Sequence, residues 1–328
     1  MPVKKKLLRV LAIVAGTALL LAGGAVALSH IAWGRSLKAS IYEIMLRRRF
    51  ATTQTAETEI QRLEKKREMA EPCYALSDSL RKKYQIEESE RMGMQVFTMN
   101  ANANAPVVLY LHGGAYINAF NAYQWRFMDR LARETGCRVI APAYHLAPWA
   151  DYRQAYEDLS GLYRDLRAEQ PDRRLILMGD SAGGGLALGL VEYLVKEGDA
   201  LPERLILFSP WVDVSMDNLD IADYVAAEPI LHLDLVTVHG QYWAGDADMH
   251  FWMVSPLFGD MEGLPPVTIY CGTREILYPD ILLAGEKLEA AGVDVSLNVY
   301  RGMNHDFPLM PLPEADRAFD EIKALVQP

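Results

Sequence analysis

The sequence predicts an α/β fold in which a mostly parallel central sheet is covered by helices on both faces. After residue 94, short apolar runs alternate with amphipathic helical segments, as in chains that build such a sheet. Several runs are continuous in Val, Ile and Leu, which is typical of strands buried on both faces. We predict strands at residues 94–99, 107–111, 138–141, 175–178, 205–208, 267–271 and 295–299. We predict helices at residues 122–134, 152–168, 182–196, 280–291 and 314–326.

Length and composition indicate one large folded domain with a small appendage. The chain has 328 residues, of which 51% are hydrophobic and 23% charged, so it can bury a sizeable core. The formal net charge of -10 argues against nucleic acid as a partner, because polyphosphate binding depends on clustered excess Lys and Arg. A small-molecule ligand fits this composition better.

An N-terminal apolar segment predicts a link to the membrane. Residues 10–28 carry no charge and follow a basic start that includes Lys4, Lys5, Lys6 and Arg9. This length is close to the roughly 20 residues that cross a bilayer. We expect residues 1–35 to form a single-pass anchor with the folded domain outside the cytoplasm. The membrane side stays open, because basic residues such as Arg35 and Lys38 follow the segment and nearly balance those before it. A cleaved secretory signal stays open, because Ala25-Val26-Ala27 resembles a signal-peptidase site.

Two further segments are set apart by their patterns. Residues 36–93 are helical and highly charged, with apolar residues such as Ile41, Ile44 and Met45 at helical spacing, which predicts cap helices. Residues 94–328 then form the large α/β domain. Within it, residues 214–254 contain no obvious strand and are rich in Trp, Tyr, Met and His, so we expect an insertion that serves as a lid.

A sharp strand-to-helix turn at Ser181 is the strongest chemical signal in the sequence. An apolar strand leads into Gly179-Asp180-Ser181-Ala182-Gly183, and a helical run rich in Gly, Ala and Leu follows. Such a turn strains the serine backbone, and glycine on both sides avoids clashes between a Cβ and the neighbouring chain. We predict Ser181 as a nucleophile, with the N–H of Ala182 at the helix start facing negative charge.

A second group of backbone donors follows an earlier strand. Residues 107–111 end in His112-Gly113-Gly114-Ala115, where two glycines leave their N–H groups open to a substrate oxygen. We predict Gly113 and Gly114 as oxyanion donors. We expect His112 to hold this loop by hydrogen bonding and not to act as a base.

A histidine and an acid are expected late in the chain, because such turns find their partners in the order serine, acid, histidine. His305 follows the last predicted strand, so a loop can carry its imidazole to Ser181. Glu275 lies soon after the strand that ends at Cys271, whereas Asp280 follows Pro279 in the next helix. We predict His305 as the base and Glu275 as the acid, and Asp280 stays open as the alternative.

These motifs together resemble those of the bacterial hormone-sensitive-lipase-like family of α/β-hydrolases, which has an HGG oxyanion loop and a GDSAG elbow. The resemblance runs from about residue 94 to the C terminus. It includes Tyr144-His145-Leu146-Ala147-Pro148 and Ser209-Pro210-Trp211-Val212-Asp213, which are similar to segments that shape the family's pocket.

The resemblance implies the α/β-hydrolase fold and a serine carboxylester hydrolase that acts through an acyl-enzyme on short to medium acyl esters. It implies no metal and no organic cofactor. The roles it implies are Ser181 as nucleophile, Glu275 as acid, His305 as base, and Gly113, Gly114 and Ala182 as oxyanion donors. Two departures from the family pattern are Ala115, where a third glycine is usual, and Arg274-Glu275-Ile276-Leu277, where an Asp-Pro-Leu segment is usual.

Several alternatives stay open at this stage. The substrate could equally be a lactone, a sugar acetyl group or an amide, and a relative without catalysis could use the pocket to bind a small molecule. The aromatic residues expected to line the pocket are Tyr116, Trp211, Trp243 and Trp252. His232, His239 and His250 match no metal-ligand spacing, so we predict no metal site there. The oligomeric state cannot be predicted.

Overall fold

The central sheet contains eight strands. The computed structural model describes residues 23–24, 30–101 and 105–327. The strand order across the sheet is β1-β2-β4-β3-β5-β6-β7-β8; β2 runs antiparallel to both of its neighbours, and the pairs from β4 to β8 are parallel. The strands are β1 (Glu87–Arg91), β2 (Met94–Met99), β3 (Val107–Leu111), β4 (Arg138–Ala143), β5 (Leu175–Asp180), β6 (Arg204–Phe208), β7 (Val267–Gly272) and β8 (Val295–Tyr300).

Helices precede the sheet and connect its strands. The helices before the sheet are α1 (Leu37–Arg49), α2 (Ala56–Arg67) and α3 (Asp78–Tyr84). The later helices are α4 (Ala122–Thr135), α5 (Tyr152–Glu169), α6 (Ser181–Glu197), α7 (Leu233–Ala244), α8 (Tyr278–Ala290) and α9 (Pro313–Val326). Short 3-10 helices lie at Leu219–Asp223, Pro256–Phe258 and Phe307–Leu309. The predicted mostly parallel sheet with flanking helices is therefore confirmed.

Two hydrophobic cores lie on opposite faces of this sheet. Alternate residues of β3 divide between them: Leu109 and Leu111 belong to the core that includes α5, α6 and α8, whereas Val108 and Tyr110 belong to the core that includes α4 and α9. This division follows from the two-residue side-chain period of a strand. Because helices cover both faces, the central strands are buried and mostly apolar, and β3 is apolar at every position, which is why the sequence revealed them.

The strand β1 corrects the prediction that residues 36–93 form only cap helices. It pairs antiparallel with β2 through the tight turn at Met92 and Gly93, whose φ angles are 51° and 73°. Positive φ at both turn residues is typical of the two-residue hairpin turn that suits twisted strands. The sequence of β1 is EESER and is mostly exposed, so no apolar pattern marked it.

The insertion and the cap meet above the sheet. Residues 214–254, predicted as a lid without strands, contain a 3-10 helix and α7. Leu63 of α2 packs with Ile117 and with Val238 of α7 in a small hydrophobic cluster. The insertion is thus held beneath the cap.

The predicted membrane anchor lies almost entirely outside the described residues. Of residues 10–28, the structure describes only Gly23 and Gly24. In the part of the chain that is described, no helix is both long enough and apolar enough to cross a bilayer.

Candidate active site

The turn at Ser181 is built by close contacts between backbones. β5 ends at Asp180 and α6 begins at Ser181, whose φ of 52° is unusual for a residue with a Cβ. A Cβ on Gly179 would lie 2.4 Å from the carbonyl oxygen of Gly183. A Cβ on Gly183 would lie 2.1 Å from the carbonyl oxygen of Leu111. Only glycine fits at these two positions. The close approach of the backbones therefore explains both the flanking glycines in the sequence and the strained backbone of Ser181.

Ser181, His305 and Glu275 lie in one line of hydrogen bonds. The Oγ of Ser181 is 3.0 Å from Nε2 of His305, and Nδ1 of His305 is 2.8 Å from Oε2 of Glu275. Since a carboxylate only accepts, Nδ1–H donates to Glu275, and Nε2 is the ring nitrogen within hydrogen-bond distance of the Ser181 hydroxyl. All three residues are buried, although they come from three separate loops. The structure therefore brings together the serine, acid and histidine that the sequence predicted.

Glu275, and not Asp280, reaches the imidazole. Its second oxygen, Oε1, accepts from Oγ of Ser209 at 2.9 Å and from the N–H of Gly272 at 2.7 Å. Asp280 lies in the first turn of α8, where its Oδ1 accepts from Nδ2 of Asn218 at 2.6 Å. Burial raises the pKa of Asp280 to about 6. Of the two acids that the sequence left open, Glu275 is therefore the one within hydrogen-bond distance of His305.

Carboxyl groups surround the imidazole of His305. Burial by itself would lower its pKa, but the negative charges of Asp306, Glu275 and Glu228 outweigh burial and raise the pKa to about 10. Oδ2 of Asp306 is 3.4 Å from Nε2, which makes it the nearest charge on the side that faces Ser181. Burial also raises the pKa of Glu228, to about 7.

Gly113 lies against Asp180 in the oxyanion loop, where a Cβ on Gly113 would lie 2.5 Å from Oδ2 of Asp180. The N–H groups of Gly114, Ala115 and Ala182 have no hydrogen-bond acceptor among the residues that the structure describes. The predicted donors Gly114 and Ala182 are therefore open to a ligand, and Ala115 adds a further open N–H. The role of Gly113 as a donor stays a prediction.

His112 holds this loop in place. Its Nδ1 is 2.8 Å from the carbonyl oxygen of Gly113, and its ring stacks on Tyr144 with 4.5 Å between centroids. Burial lowers the pKa of His112 to about 4, so the ring is neutral and Nδ1–H donates. This placement agrees with the structural role that the sequence suggested.

Comparison with known proteins assigns the family. A family model described as an alpha/beta hydrolase fold matches residues 108–309, which is more than half of the chain. This chain belongs to the α/β hydrolases. The geometry around Ser181 is the arrangement that such a family requires of a nucleophile elbow.

Curated relatives of this α/β hydrolase are esterases. An esterase of Acinetobacter venetianus is 31% identical over 244 residues, which cover 73% of this chain and 80% of that protein. An acetyl-hydrolase of Streptomyces hygroscopicus is 31% identical over 233 residues, which cover 69% of this chain and 77% of the acetyl-hydrolase.

A solved structure refines the assignment. The crystal structure of an esterase from the bacterial hormone-sensitive lipase family aligns with a TM-score of 0.75 and 29% identity, covering 89% of this chain and 98% of that chain. The hydrolase is thus a hormone-sensitive-lipase-like carboxylester hydrolase, and the resemblance seen in the sequence is confirmed.

Sequence reasoning missed the residues that hold the hydrolase's acid and histidine loops. Ser209 donates to Glu275 and accepts the N–H of Asp306 at 3.0 Å, so it joins both loops. Oε2 of Glu228 accepts the N–H of Ile276 at 3.2 Å and so ties the insertion to the acid loop. Ser209 stood at the end of a predicted strand, which was a usable signal, but nothing in the sequence marked Glu228.

The three histidines of the insertion do not converge in this α/β hydrolase. His232 contacts the carbonyl oxygen of Phe50, His239 contacts Glu59, and His250 contacts Asp217. Among the described residues, one group of possible metal ligands has its atoms within 4.8 Å of one another, namely Asp213, Asp217 and His250. Two of these three residues are exposed, and exposed acidic groups commonly lie together without an ion.

A stack of aromatic rings lies beside the serine of the hydrolase. The Tyr116 and Trp243 rings are parallel with 3.8 Å between centroids, and Trp211 stacks on the other side of Tyr116 at 5.6 Å. All three residues are buried, and the N–H of Trp211 donates to the Ser181 carbonyl at 2.8 Å. Trp252, also expected in the pocket, packs against Tyr156 and Lys196 instead.

Proposed function

We propose that this carboxylester hydrolase acts through an acyl-enzyme on Ser181, with His305 as the base and Glu275 as the acid. The observation that carries the proposal is the unbroken line of hydrogen bonds from Oγ of Ser181 through the imidazole to Glu275. Oγ attacks the ester carbonyl carbon while its proton moves to Nε2. The alcohol leaves with that proton, and water repeats the sequence to release the acid.

The N–H groups of Gly114, Ala115 and Ala182 are the proposed donors to the oxyanion. Their support is that none of them has a hydrogen-bond acceptor in the described chain, so each is open to a ligand. Ala182 lies in the first turn of α6, where unpaired N–H groups and the helix dipole favour negative charge. Each donor should contribute about 2.7–4 kcal/mol to stabilising the transition state.

The preferred substrates are proposed to be esters with a short acyl chain, of which acetate is the simplest. Support comes from the buried stack of Tyr116, Trp211 and Trp243, whose Trp211 backbone N–H donates to the carbonyl oxygen of Ser181 and so brings bulky rings close to the nucleophile. The name of the Streptomyces acetyl-hydrolase agrees with this preference. A sugar acetyl group would present the same small acyl group to Ser181, and lactones and amides stay open as other substrates.

Hydrolysis of p-nitrophenyl esters from acetate to laurate by the full chain in detergent tests both proposals. The wild type should be most active on acetate, and Ser181→Ala should lose all turnover and all labelling by a fluorophosphonate probe. Ser89→Ala, which changes an exposed serine of β1, is the matched control and should keep both. Labelling that persists in Ser181→Ala, or a wild type that hydrolyses no ester, would contradict the proposed nucleophile and favour a binding role.

We propose further that residues 10–28 anchor the chain in a membrane with the catalytic domain outside the cytoplasm. Support comes from the apolar sequence and from exposed residues of the adjoining helix α1, where Leu37, Ile41 and Met45 are 50%, 51% and 57% exposed. Soluble monomeric proteins rarely expose neighbouring apolar side chains to water, and such a patch usually contacts a membrane or a partner. The exposed Lys38 and Arg48 give the same helix basic residues beside apolar ones, which is typical of helices at a membrane surface.

Fractionation of bacteria that express the full chain tests the anchor. The protein should stay in the membrane pellet after a carbonate wash, and protease added to spheroplasts should digest the catalytic domain. An intact mass in which the N terminus follows Ala27 would show a secreted, cleaved protein instead. Protection from the added protease would reverse the proposed orientation.

A further inference from the structure

The loop that carries Glu275 makes few backbone hydrogen bonds around the acid itself. This acid loop, residues 273–277, follows β7 and leads into α8. Of the three N–H groups from Glu275 to Leu277, only that of Ile276 has an acceptor in the described chain. The acceptor is Oε2 of Glu228, at 3.2 Å. The backbone next to the acid is therefore held by a side chain of the insertion.

The carboxylate of Glu228 contacts three backbone N–H groups in the described chain. Oε1 accepts from Ile230 at 2.7 Å and from Leu231 at 3.2 Å, while Oε2 accepts from Ile276. The side chain is buried, and all of these partners are donors, which suits a carboxylate because it only accepts. An amide in its place would turn its NH2 group toward at least one of these N–H groups. The charge of Glu228, and not its shape alone, therefore holds the acid loop.

The other flank of the acid loop is held from helix α1. Nη2 of Arg274 donates to Oε1 of Glu43 at 2.9 Å, and the same oxygen accepts from Nε of Arg47 at 3.0 Å. Nη2 of Arg47 in turn donates to the carbonyl oxygen of Ala227 at 2.7 Å. Since Ala227 directly precedes Glu228, this series of contacts connects the two flanks of the acid loop through α1 and the insertion.

We propose that Glu43 and Glu228 are positioning residues for Glu275. By holding the residues on either side of the acid, they keep its carboxylate within hydrogen-bond distance of His305. This assignment rests on the proposed triad of the hydrolase. The triad is then complete only when the cap and the insertion are docked on the sheet.

The acid needs such support because its geometry is strict. Nδ1 of His305 is 2.8 Å from Oε2 of Glu275, and a hydrogen bond weakens steeply when it is bent or stretched. A misplacement of about 1 Å in an active site can cost about 100-fold in rate. Loss of either support should therefore lower kcat and leave KM nearly unchanged, because the acid stabilises the imidazolium of the transition state and does not bind the ester.

A double-mutant cycle between Glu228→Gln and Ile276→Pro, in the full chain in detergent, tests the contact with the acid loop. Proline has no N–H, and the usual Asp-Pro-Leu segment has a proline at this place. Above pH 7, where Glu228 is mostly ionised, Glu228→Gln should lower kcat on p-nitrophenyl acetate by about 10- to 100-fold. In the Ile276→Pro background the same change should cost less than about 3-fold, because the NH2 group no longer meets an N–H. A wild-type kcat in Glu228→Gln, or equal losses in both backgrounds, would overturn the proposal.

Matched variants separate positioning from a general loss of the fold. Glu192→Gln changes another buried glutamate, whose carboxyl oxygens have no hydrogen-bond partner in the described chain, and it should keep the wild-type kcat. Arg47→Met, which removes the link from α1 to the insertion, should lower kcat by about 3- to 10-fold. The exposed Arg49→Met of the same helix should not. A wild-type kcat in Arg47→Met would overturn the role of α1.

Proton NMR tests the position of Glu275 without any activity. The Nδ1–H of a histidine that donates to a carboxylate gives a resonance far downfield of the backbone amides. Ser181→Ala should show this resonance, its double variant with Glu228→Gln should lose it, and its double variant with Glu192→Gln should retain it. A resonance that persists in the Glu228→Gln double variant would overturn the proposal. A resonance that depends on Glu228 in a protein that hydrolyses no ester would support the positioning and contradict only the proposed chemistry.

Discussion

At the scale of single residues, Glu275 and Asp280 provide a direct test of the acid. Glu275→Gln should lower kcat by about 10⁴-fold, as loss of the triad carboxylate does elsewhere, because the amide no longer holds the Nδ1–H tautomer. Asp280→Asn should change kcat only slightly, since Asp280 contacts Asn218 and not His305. Steady-state kinetics on p-nitrophenyl acetate give both values. A larger loss in Asp280→Asn than in Glu275→Gln would reverse the assignment.

The ring of Trp243 provides a residue-scale test of chain-length preference. Trp243 is fully buried against Tyr116, so Trp243→Ala should open space for a longer acyl chain beside Ser181. We expect kcat/KM for hexanoate to rise relative to acetate by about 10-fold or more, since each buried methylene contributes about 0.8 kcal/mol. Trp252→Ala is the control, because Trp252 packs elsewhere and should leave the ratio unchanged. An unchanged ratio in Trp243→Ala would show that the aromatic stack does not limit the length of the acyl chain.

The residues of the site were predictable to different degrees for a physical reason. Ser181, Glu275 and His305 could be found because each lies in or just after an apolar strand or a glycine turn that the sequence displays. Asp306 and Glu228 make tertiary contacts with Ser209 and Ile276, which lie far along the chain, and no local pattern records such contacts. The open N–H of Ala115 was passed over because the pattern pointed to the two glycines.

At the scale of elements, helix α1 is held by a buried cluster of charges. Glu43 lies 2.6 Å from Arg35 and 2.9 Å from Arg274, and their side chains are 8%, 3% and 13% exposed. Glu43→Gln should lower the free energy of unfolding by about 3–5 kcal/mol, because it leaves buried cations without their counter-charge. Glu64→Ala breaks the exposed pair with Arg67 and should cost less than about 1 kcal/mol. Urea unfolding at pH 7 measures both, and equal costs would contradict a structural role for the cluster.

The same cluster predicts a pH dependence of stability. Burial opposes ionisation of Glu43, but the hydrogen bond and charge of Arg274, together with Arg35, lower its pKa below the ordinary 4.5. A carboxyl group with a lowered pKa stabilises the fold above its unfolded value, and this contribution is lost as pH falls. The stability difference between wild type and Glu43→Gln should therefore be full above pH 4.5 and shrink below it. A difference that grows on acidification would show the opposite sign of pKa shift.

Among the elements, those with an apolar pattern were predictable and the polar ones were not. The predicted strand at 94–99 is β2, which is mostly buried and apolar, and the one at 107–111 is β3, a continuous apolar run. Within the sheet, the edge strand β1 pairs only with β2 and exposes most of its residues, so its backbone hydrogen bonds, and not an apolar pattern, define it. The clearest sequence signal for this strand was Gly93 in the turn, but a glycine indicates a hairpin turn and an ordinary loop equally well.

At the scale of the whole molecule, the cap and the sheet share one core. Ala39 and Leu46 of α1 and Tyr84 of α3 belong to the same hydrophobic cluster as Val108 of β3 and Phe319 of α9. The start of α1 is also tied to α9, since the N–H of Ser36 donates to Glu314 at 2.5 Å. Unfolding the cap alone would expose part of this shared core, so we expect the cap and the sheet to unfold in one cooperative transition.

Two probes on the full chain in detergent test this cooperativity. Cys73 is exposed in the cap region, whereas Cys137 and Cys271 are buried, so a thiol dye reports on the cap alone. The fluorescence of the buried Trp125, Trp211 and Trp243 reports on the two cores. The two urea midpoints should coincide, and Leu46→Ala should lower both together by an amount worth about 2–5 kcal/mol. A cap midpoint that falls alone in Leu46→Ala would show that the cap folds as a separate unit, because only an independent unit can lose stability without its neighbour.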